Sequence, residues 1–427
     1  MFAQNGLSLD QAPPISVVFR FFLSGSLFGV LAGIFVLIAN TNIFNLGGSE
    51  PLILTHILTL GVMLSFMFAA LFQMLPVIAG VTLKNPVKKA NLLQYPFIAG
   101  VLSLLFGFYS SSALFFTIAS ILLGISILYI VIVMIKNLLT IPNHSTSSKG
   151  MLLSLLALGI TLILALYLTS TLSGSISGEY YLQVKEAHFS FGLLGWISLL
   201  IISISFQVIE MFYVTPSYPN YVSKYLPLFI LTVLILSAIA KIFFPNIWIF
   251  SDILLAIVLM SYALLTMKRL TQRKRPLTDA TVWFWRVGLS SLVLSMIFVI
   301  IEQFTYTQYI TKLSYIFFAS FALSIVFAMF YKIVPFLTWF HLNSQGYFTA
   351  PMMHEVIHPK TAMKHLYIHL STIVSFILSL FISPLIYVAG LLTIVSFSWV
   401  TYQIIHAHLL YNKTQKTGEK FDMGSMS

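Results

Sequence analysis

The sequence predicts an all-α polytopic membrane protein of about twelve transmembrane helices, arranged as three pseudo-repeated blocks of four. Three observations predict it. The 427 residues are 59% hydrophobic and 8% charged, with a mean hydropathy of +0.97. No soluble core of this size needs that much apolar surface. Apolar runs close to the ~20 residues that cross a bilayer recur from end to end. A short pattern, an aromatic, a long polar residue and two apolar residues, returns at even spacing: Phe72-Gln73-Met74-Leu75, Phe206-Gln207-Val208-Ile209 and Tyr331-Lys332-Ile333-Val334.

The apolar runs lie at 16–40, 51–79, 92–111, 112–135, 150–172, 187–212, 225–243, 246–267, 281–303, 311–338, 363–385 and 386–410. Two of these boundaries divide continuous apolar stretches, at Tyr109-Ser110-Ser111-Ser112 and at Ser383-Pro384. The predicted repeats cover 16–135, 150–267 and 281–410, within one transmembrane domain spanning 1–427. The anchor pattern falls in the second helix of each block. Residues 411–427 form a polar tail. Met1 to Pro14 is polar and has no basic start, so no cleaved leader is expected.

Lys and Arg gather in alternate loops, at Lys84, Lys88, Lys89, Lys136, Lys149, Lys224, Lys268, Arg269, Arg273, Lys274 and Arg275, and again at Lys360, Lys364 and Lys413. The opposite loops hold little beyond Lys185, Lys241 and Lys312. The positive-inside rule then sets both termini in the cytoplasm, and the cytoplasmic (inner) membrane is the expected location. The net charge of +11 is explained by this bias, and the partner it implies is the lipid bilayer rather than nucleic acid. A second copy of the chain and a respiratory subunit are both compatible with it. With no cysteine, disulfides, iron–sulfur clusters and thiolate ligands are excluded.

Two histidines stand at the beginnings of anchor helices: His56, in Thr55-His56-Ile57-Leu58-Thr59-Leu60-Gly61, and His188, in Ala187-His188-Phe189-Ser190-Phe191-Gly192. The third anchor helix has no histidine at its near end. An imidazole in a hydrocarbon-lined helix needs a partner or a cavity. The chemistry expected of it is heme or metal ligation, against a hydrogen bond to a neighbouring helix. Gln73, Gln207, Glu210, Asp252, Glu302 and Lys332 are polar groups within spans and define a candidate polar path. A Glu210–Lys332 pair is expected if the blocks pack around a common axis, while Arg20, Arg286 and Lys241 read as interface anchors.

Three further features are weaker. His354-Glu355-Val356-Ile357-His358 matches the spacing of a zinc-protease motif, but Pro351 and Pro359 leave it only about two turns of helix, in a loop. It reads as a solvated amphipathic loop helix, followed by His365 and His369. Sixteen Met residues are compatible with copper(I) passage, yet Met63, Met67 and Met74 recur at helical spacing as packing would place them. No nucleotide-binding or heme c attachment motif is present.

Twelve helices in three blocks, with His56 and His188 in helices 2 and 6 and the text Ala187-His188-Phe189-Ser190-Phe191-Gly192-Leu193-Leu194-Gly195-Trp196, resemble the catalytic subunit of the heme–copper oxidase superfamily. That group includes the nitric oxide reductase large subunits and NnrS-type relatives. The resemblance implies heme as the cofactor, with copper the lesser expectation. It sets His56 in the place of the helix 2 ligand to the low-spin heme and His188 in the helix that supplies the first copper ligand. The histidine pair of helix 7 and the two histidines of helix 10 have no counterparts here. The implied role is therefore respiratory, nitric-oxide-related or in heme and copper homeostasis, not conventional oxygen reduction, and no catalytic residue is assigned. The alternative is a cofactor-free permease whose path is lined by the polar residues named above.

Overall fold

The computed structural model describes residues 13–243, 248–275, 278–305 and 307–420. Twelve long helices account for nearly all of them. They are α1 (Ile15–Ala39), α2 (Glu50–Ala79), α3 (Pro86–Ser110), α4 (Ala113–Leu138), α5 (Thr146–Leu172) and α6 (Tyr181–Tyr213), followed by α7 (Asn220–Phe243), α8 (Trp248–Thr271), α9 (Ala280–Glu302), α10 (Gln308–Ser344), α11 (Pro359–Ser379) and α12 (Leu385–Thr417). No strand occurs among the described residues. Both divisions made inside continuous apolar stretches fall at helix ends. Ser111 takes a left-handed backbone (φ 52) between α3 and α4, and Pro384 precedes α12.

Eleven of these helices are long and apolar enough to cross a membrane, so the protein is an all-helical membrane protein. The eleventh helix in chain order, α11, falls short of the other eleven in apolarity because Lys360, Lys364, His365 and His369 crowd its first half.

Helix ends follow from local chemistry. Pro51 and Glu50 open α2, where a missing amide costs nothing and an acid faces the helix N-terminus favourably. Gly80 closes it at φ 67, and the Val81 amide reaches back to the Leu75 carbonyl at 3.1 Å, the left-handed stop for which glycine is suited. The Ser145 hydroxyl accepts from the Ser148 amide at 3.1 Å and caps α5. The Asp279 carboxylate does the same for α9 through the Val282 amide, also at 3.1 Å.

The helices form a closed perimeter around three inner ones. Around the outside, α1, α3, α4, α5, α7, α8, α9, α11 and α12 each touch the next, and α12 returns to α1. The anchor helices α2, α6 and α10 are the most enclosed. The buried share of their apolar stretches is 78%, 72% and 61%, against 50% or less for every other span. Between them lies an apolar cavity of about 60 Å³, lined in part by Phe66 and Met67 of α2, Ile201 and Ile204 of α6, and Ile325 and Met329 of α10.

The ring is closed by glycine. A Cβ on Gly33 of α1 would stand 2.7 Å from the Ile394 amide nitrogen and 2.8 Å from the Gly390 carbonyl of α12. Gly29 lies flat against the Phe397 ring. Small residues four apart let two helix backbones approach, which is how helices gain contact energy in lipid.

Candidate functional site

The structure brings His56 and His188 together. Their ring centroids are 6.3 Å apart, with planes inclined by only 14°. Both side chains are half-buried, and Phe108 of α3 packs 5.1 Å from the His56 ring.

Each imidazole is held by its Nδ1. His56 Nδ1 lies 2.7 Å from the Leu52 carbonyl, one turn earlier in α2. His188 Nδ1 lies 3.1 Å from the Thr161 carbonyl of α5. A carbonyl only accepts, so each Nδ1 carries the proton and donates it. The Nε2 of each neutral ring is left with its lone pair. Metal-ligating histidines are usually oriented by such a second hydrogen bond, which fixes tautomer and ring angle.

The backbone around both residues departs from the ordinary helix. Ile57–Leu64, immediately after His56, is π-helical, and so is Phe191–Ser198, three residues after His188. Ile57 and Phe191 lie 134 residues apart, and so do Gly61 and Gly195 and Gln73 and Gln207. The wide turn thus recurs at the same spacing as the Gln-containing anchor pattern. In α10, which has no such histidine, the helix is α-helical from Gln308 to Ser344. π turns are rare, and they occur frequently at functional sites.

The pair fits a metal in its donor chemistry. Two neutral imidazoles offer free Nε2 atoms from rigid helices. Among the described residues, no third His, Asp, Glu or Cys joins a cluster that could hold an ion. The pair therefore offers two donor nitrogens, with no third protein donor beside them among the described residues.

The other polar candidates do not gather into one path. Gln73 is 3% exposed, and neither its amide oxygen nor its nitrogen has a partner. Gln207 is half-buried on α6. Glu210 accepts from the Tyr218 amide at 3.0 Å. Asp252 meets Lys241 at 3.4 Å, and Lys241 also lies 3.7 Å from Glu186. Lys241, in the last turn of its helix, is thus an ion-pair residue. Glu302 accepts from the Thr311 hydroxyl at 2.5 Å.

Lys332 is not paired with Glu210. Its ammonium lies 2.6 Å from the Asp279 carboxylate and 5.4 Å from the centre of the Tyr213 ring. Asp279 caps the adjacent helix α9, so it reaches Lys332 more directly than Glu210 can. Burial by itself raises the Asp279 carboxyl. The Lys332 charge, with hydrogen bonds from Lys332, Thr281 and the Val282 amide, outweighs that and holds it below the ordinary aspartate value. A group held low stabilises the fold above its unfolded pKa and loses that contribution as pH falls through its folded one. Asp279→Asn is expected to cost up to about 1 kcal/mol at neutral pH through loss of a partly exposed ion pair, since asparagine still caps the helix. It should cost less below about pH 4, as read from melting curves of both proteins across that range.

The zinc-protease spacing does not form a site. Met353–Val356 is only four residues of helix, exposed at Met353, His354 and Glu355 and buried at Val356, and Ile357 is already extended. Glu355 accepts from the Met352 amide at 2.7 Å, and His358 Nδ1 accepts from the Lys360 amide at 3.2 Å as the cap of α11. Both side chains act as helix caps.

Sequence reasoning gave His365 and His369 no role. The predicted run 363–385 contains both, and they lie in α11, 0% and 3% exposed. Their spacing of one helical turn was the signal. The lysines at 360 and 364 hid it. No family model matches the chain, and no curated protein matches it.

Proposed function

We propose that this protein carries a transition-metal centre, heme iron first, held by His56 and His188 at one end of a three-block transmembrane bundle. The observation that carries this is the pair itself: two near-parallel imidazoles 6.3 Å apart, each anchored through Nδ1 to a carbonyl. His56 and His188 would hold the metal through their unprotonated nitrogens. Bound there, heme iron would supply one-electron or small-gas chemistry. The helices would contribute fixed ligands and an apolar surround.

The threefold reading of the bundle supports this site. The inner positions of α2, α6 and α10 and the 134-residue offset in both the π turns and the glutamines follow from three blocks of four helices. In that reading α11 crosses the membrane as the twelfth span. The lysine-rich ends of α2, α4, α6, α8 and α10 face the cytoplasm together with both termini, and the histidine pair faces the outer side.

The chain purified in detergent is expected to contain one metal equivalent per molecule. A Soret band accompanied by stoichiometric iron identifies heme. Copper or zinc without that band identifies a bare ion on the same two imidazoles. A colourless preparation free of all three, after growth with each metal supplied, contradicts the proposal.

A further inference from the structure

A second set of buried polar groups runs the length of the third block, away from His56 and His188. It begins with Glu302 and Thr311, bonded at 2.5 Å where α9 ends and α10 begins. One turn deeper, the Ser314 hydroxyl donates to the Thr311 carbonyl and the Ser295 hydroxyl to the Ser314 carbonyl, each at 2.8 Å. Ser291 and Ser320 follow, hydroxyl to hydroxyl at 2.8 Å. Ser324 then meets His369 Nε2 at 2.8 Å, and His365 Nε2 meets Ser396 of α12 at 2.8 Å. The far end is the Lys332–Asp279 ion pair.

From Thr311 to Lys332 the file advances 21 residues of helix, about 31 Å, close to the ~30 Å of a bilayer's hydrocarbon. Every serine, threonine and histidine in it is buried to better than nine-tenths. Phe327 packs on both imidazoles, at 4.6 and 5.2 Å, and Phe284 lies 5.7 Å from each. The aromatic rings, both 0% exposed, pack directly on the imidazoles in the middle of the file.

Interhelical hydroxyl bonds occur elsewhere in the bundle, as between Ser120 and Thr169, and such bonds hold helices together. Two features exceed that role. Imidazoles stand in the centre, where serine or glutamine would serve as an adhesive at lower desolvation cost. His365 Nδ1 is buried with no hydrogen-bond partner. A neutral imidazole passes a proton by accepting it at one nitrogen while releasing one from the other. His365 therefore has one nitrogen engaged with Ser396 and the other open.

The geometry points to a transmembrane proton path through α9, α10, α11 and α12, with His365 and His369 as its relay. The transported species is the proton, handed between hydroxyl, imidazole and intervening water, with Glu302 at one mouth and Asp279 and Lys332 at the other. No electron moves and no covalent bond to carbon changes. The path shares no residue with the His56–His188 pair and needs no metal.

The full chain, carrying His56→Ala to remove the metal question, is reconstituted into phosphatidylcholine–phosphatidylglycerol vesicles that enclose a pH-sensitive dye. A potassium diffusion potential drives protons inward. These vesicles should acidify faster than protein-free ones. His369→Gln keeps a hydrogen bond to Ser324 but cannot take up a proton. It should slow the flux about tenfold with its melting temperature unchanged. Ser324→Ala and His365→Gln should slow it likewise, while Ser120→Ala should match the parent. Flux no faster than in empty vesicles overturns the proposal. So does parent-like flux in His369→Gln, or, if that variant does not fold, in Ser324→Ala.

Discussion

His188→Ala is expected to remove all of the bound metal, not half of it, and His56→Ala to do the same. The reason is the sharing of one proposed site by two helices, α2 and α6. Each ring is fixed by its own carbonyl, Leu52 for one and Thr161 for the other. Losing either partner leaves one imidazole 6.3 Å from a vacancy. Removing an outer-shell hydrogen bond costs a metal site up to about 100-fold in affinity, and removing a ligand costs more. Two independent one-histidine sites would instead each lose half. The measurement is metal content and absorbance per purified chain for the two single variants and the double. Melting and size-exclusion profiles should stay near those of the wild type, because both side chains are only half-buried.

Gly33→Leu is expected to have the largest effect on stability. Its Cβ would fall 2.7 and 2.8 Å from backbone atoms of α12, and backbone cannot move aside as a flexible side chain can. Overpacking a core costs about 1–3 kcal/mol even where side chains can adjust. Here the cost should lie at or above the top of that range, a melting shift on the order of 5 °C or more. The seam joins the first helix to the last, so the loss should open the perimeter. Gly390→Leu, on the facing helix, should behave alike, since a Cβ there meets Leu37 and the Gly33 carbonyl. Gly159→Leu, where a Cβ meets only Val131 Cγ1 at 3.8 Å, should be mild. Thermal unfolding in detergent, followed by tryptophan fluorescence, separates the three.

The helices themselves were legible because crossing lipid demands long apolar runs, and even the weak breaks at Ser110–Ser112 and Ser383–Pro384 mark real ends. The even spacing of Gln73 and Gln207 was legible too. It turned out to be shared by the π turns, which a hydrophobic pattern cannot reveal because a single wide turn leaves apolar residues apolar. His365 and His369 were obscured for a different reason. The predicted run 363–385 contained both, but Lys360, Lys364 and the preceding His-rich loop masked them, and nothing in the pattern says that the helix starts at Pro359 and carries its histidines inward within two to three turns. The partner of Lys332 was obscured by topology. Asp279 sits outside the apolar run, where an acid reads as solvated, and only the packing of α9 against α10 brings its capping carboxylate to the lysine.

The central claim is that one metal is shared by two imidazoles from two helices, α2 and α6. X-ray absorption fine structure at the edge of the metal in the purified wild-type protein tests it most directly. The account predicts the scattering of two imidazole rings per metal, falling to one or to no metal at all in His188→Ala. A wild-type spectrum without imidazole scattering, or one that His188→Ala leaves unchanged, would contradict it.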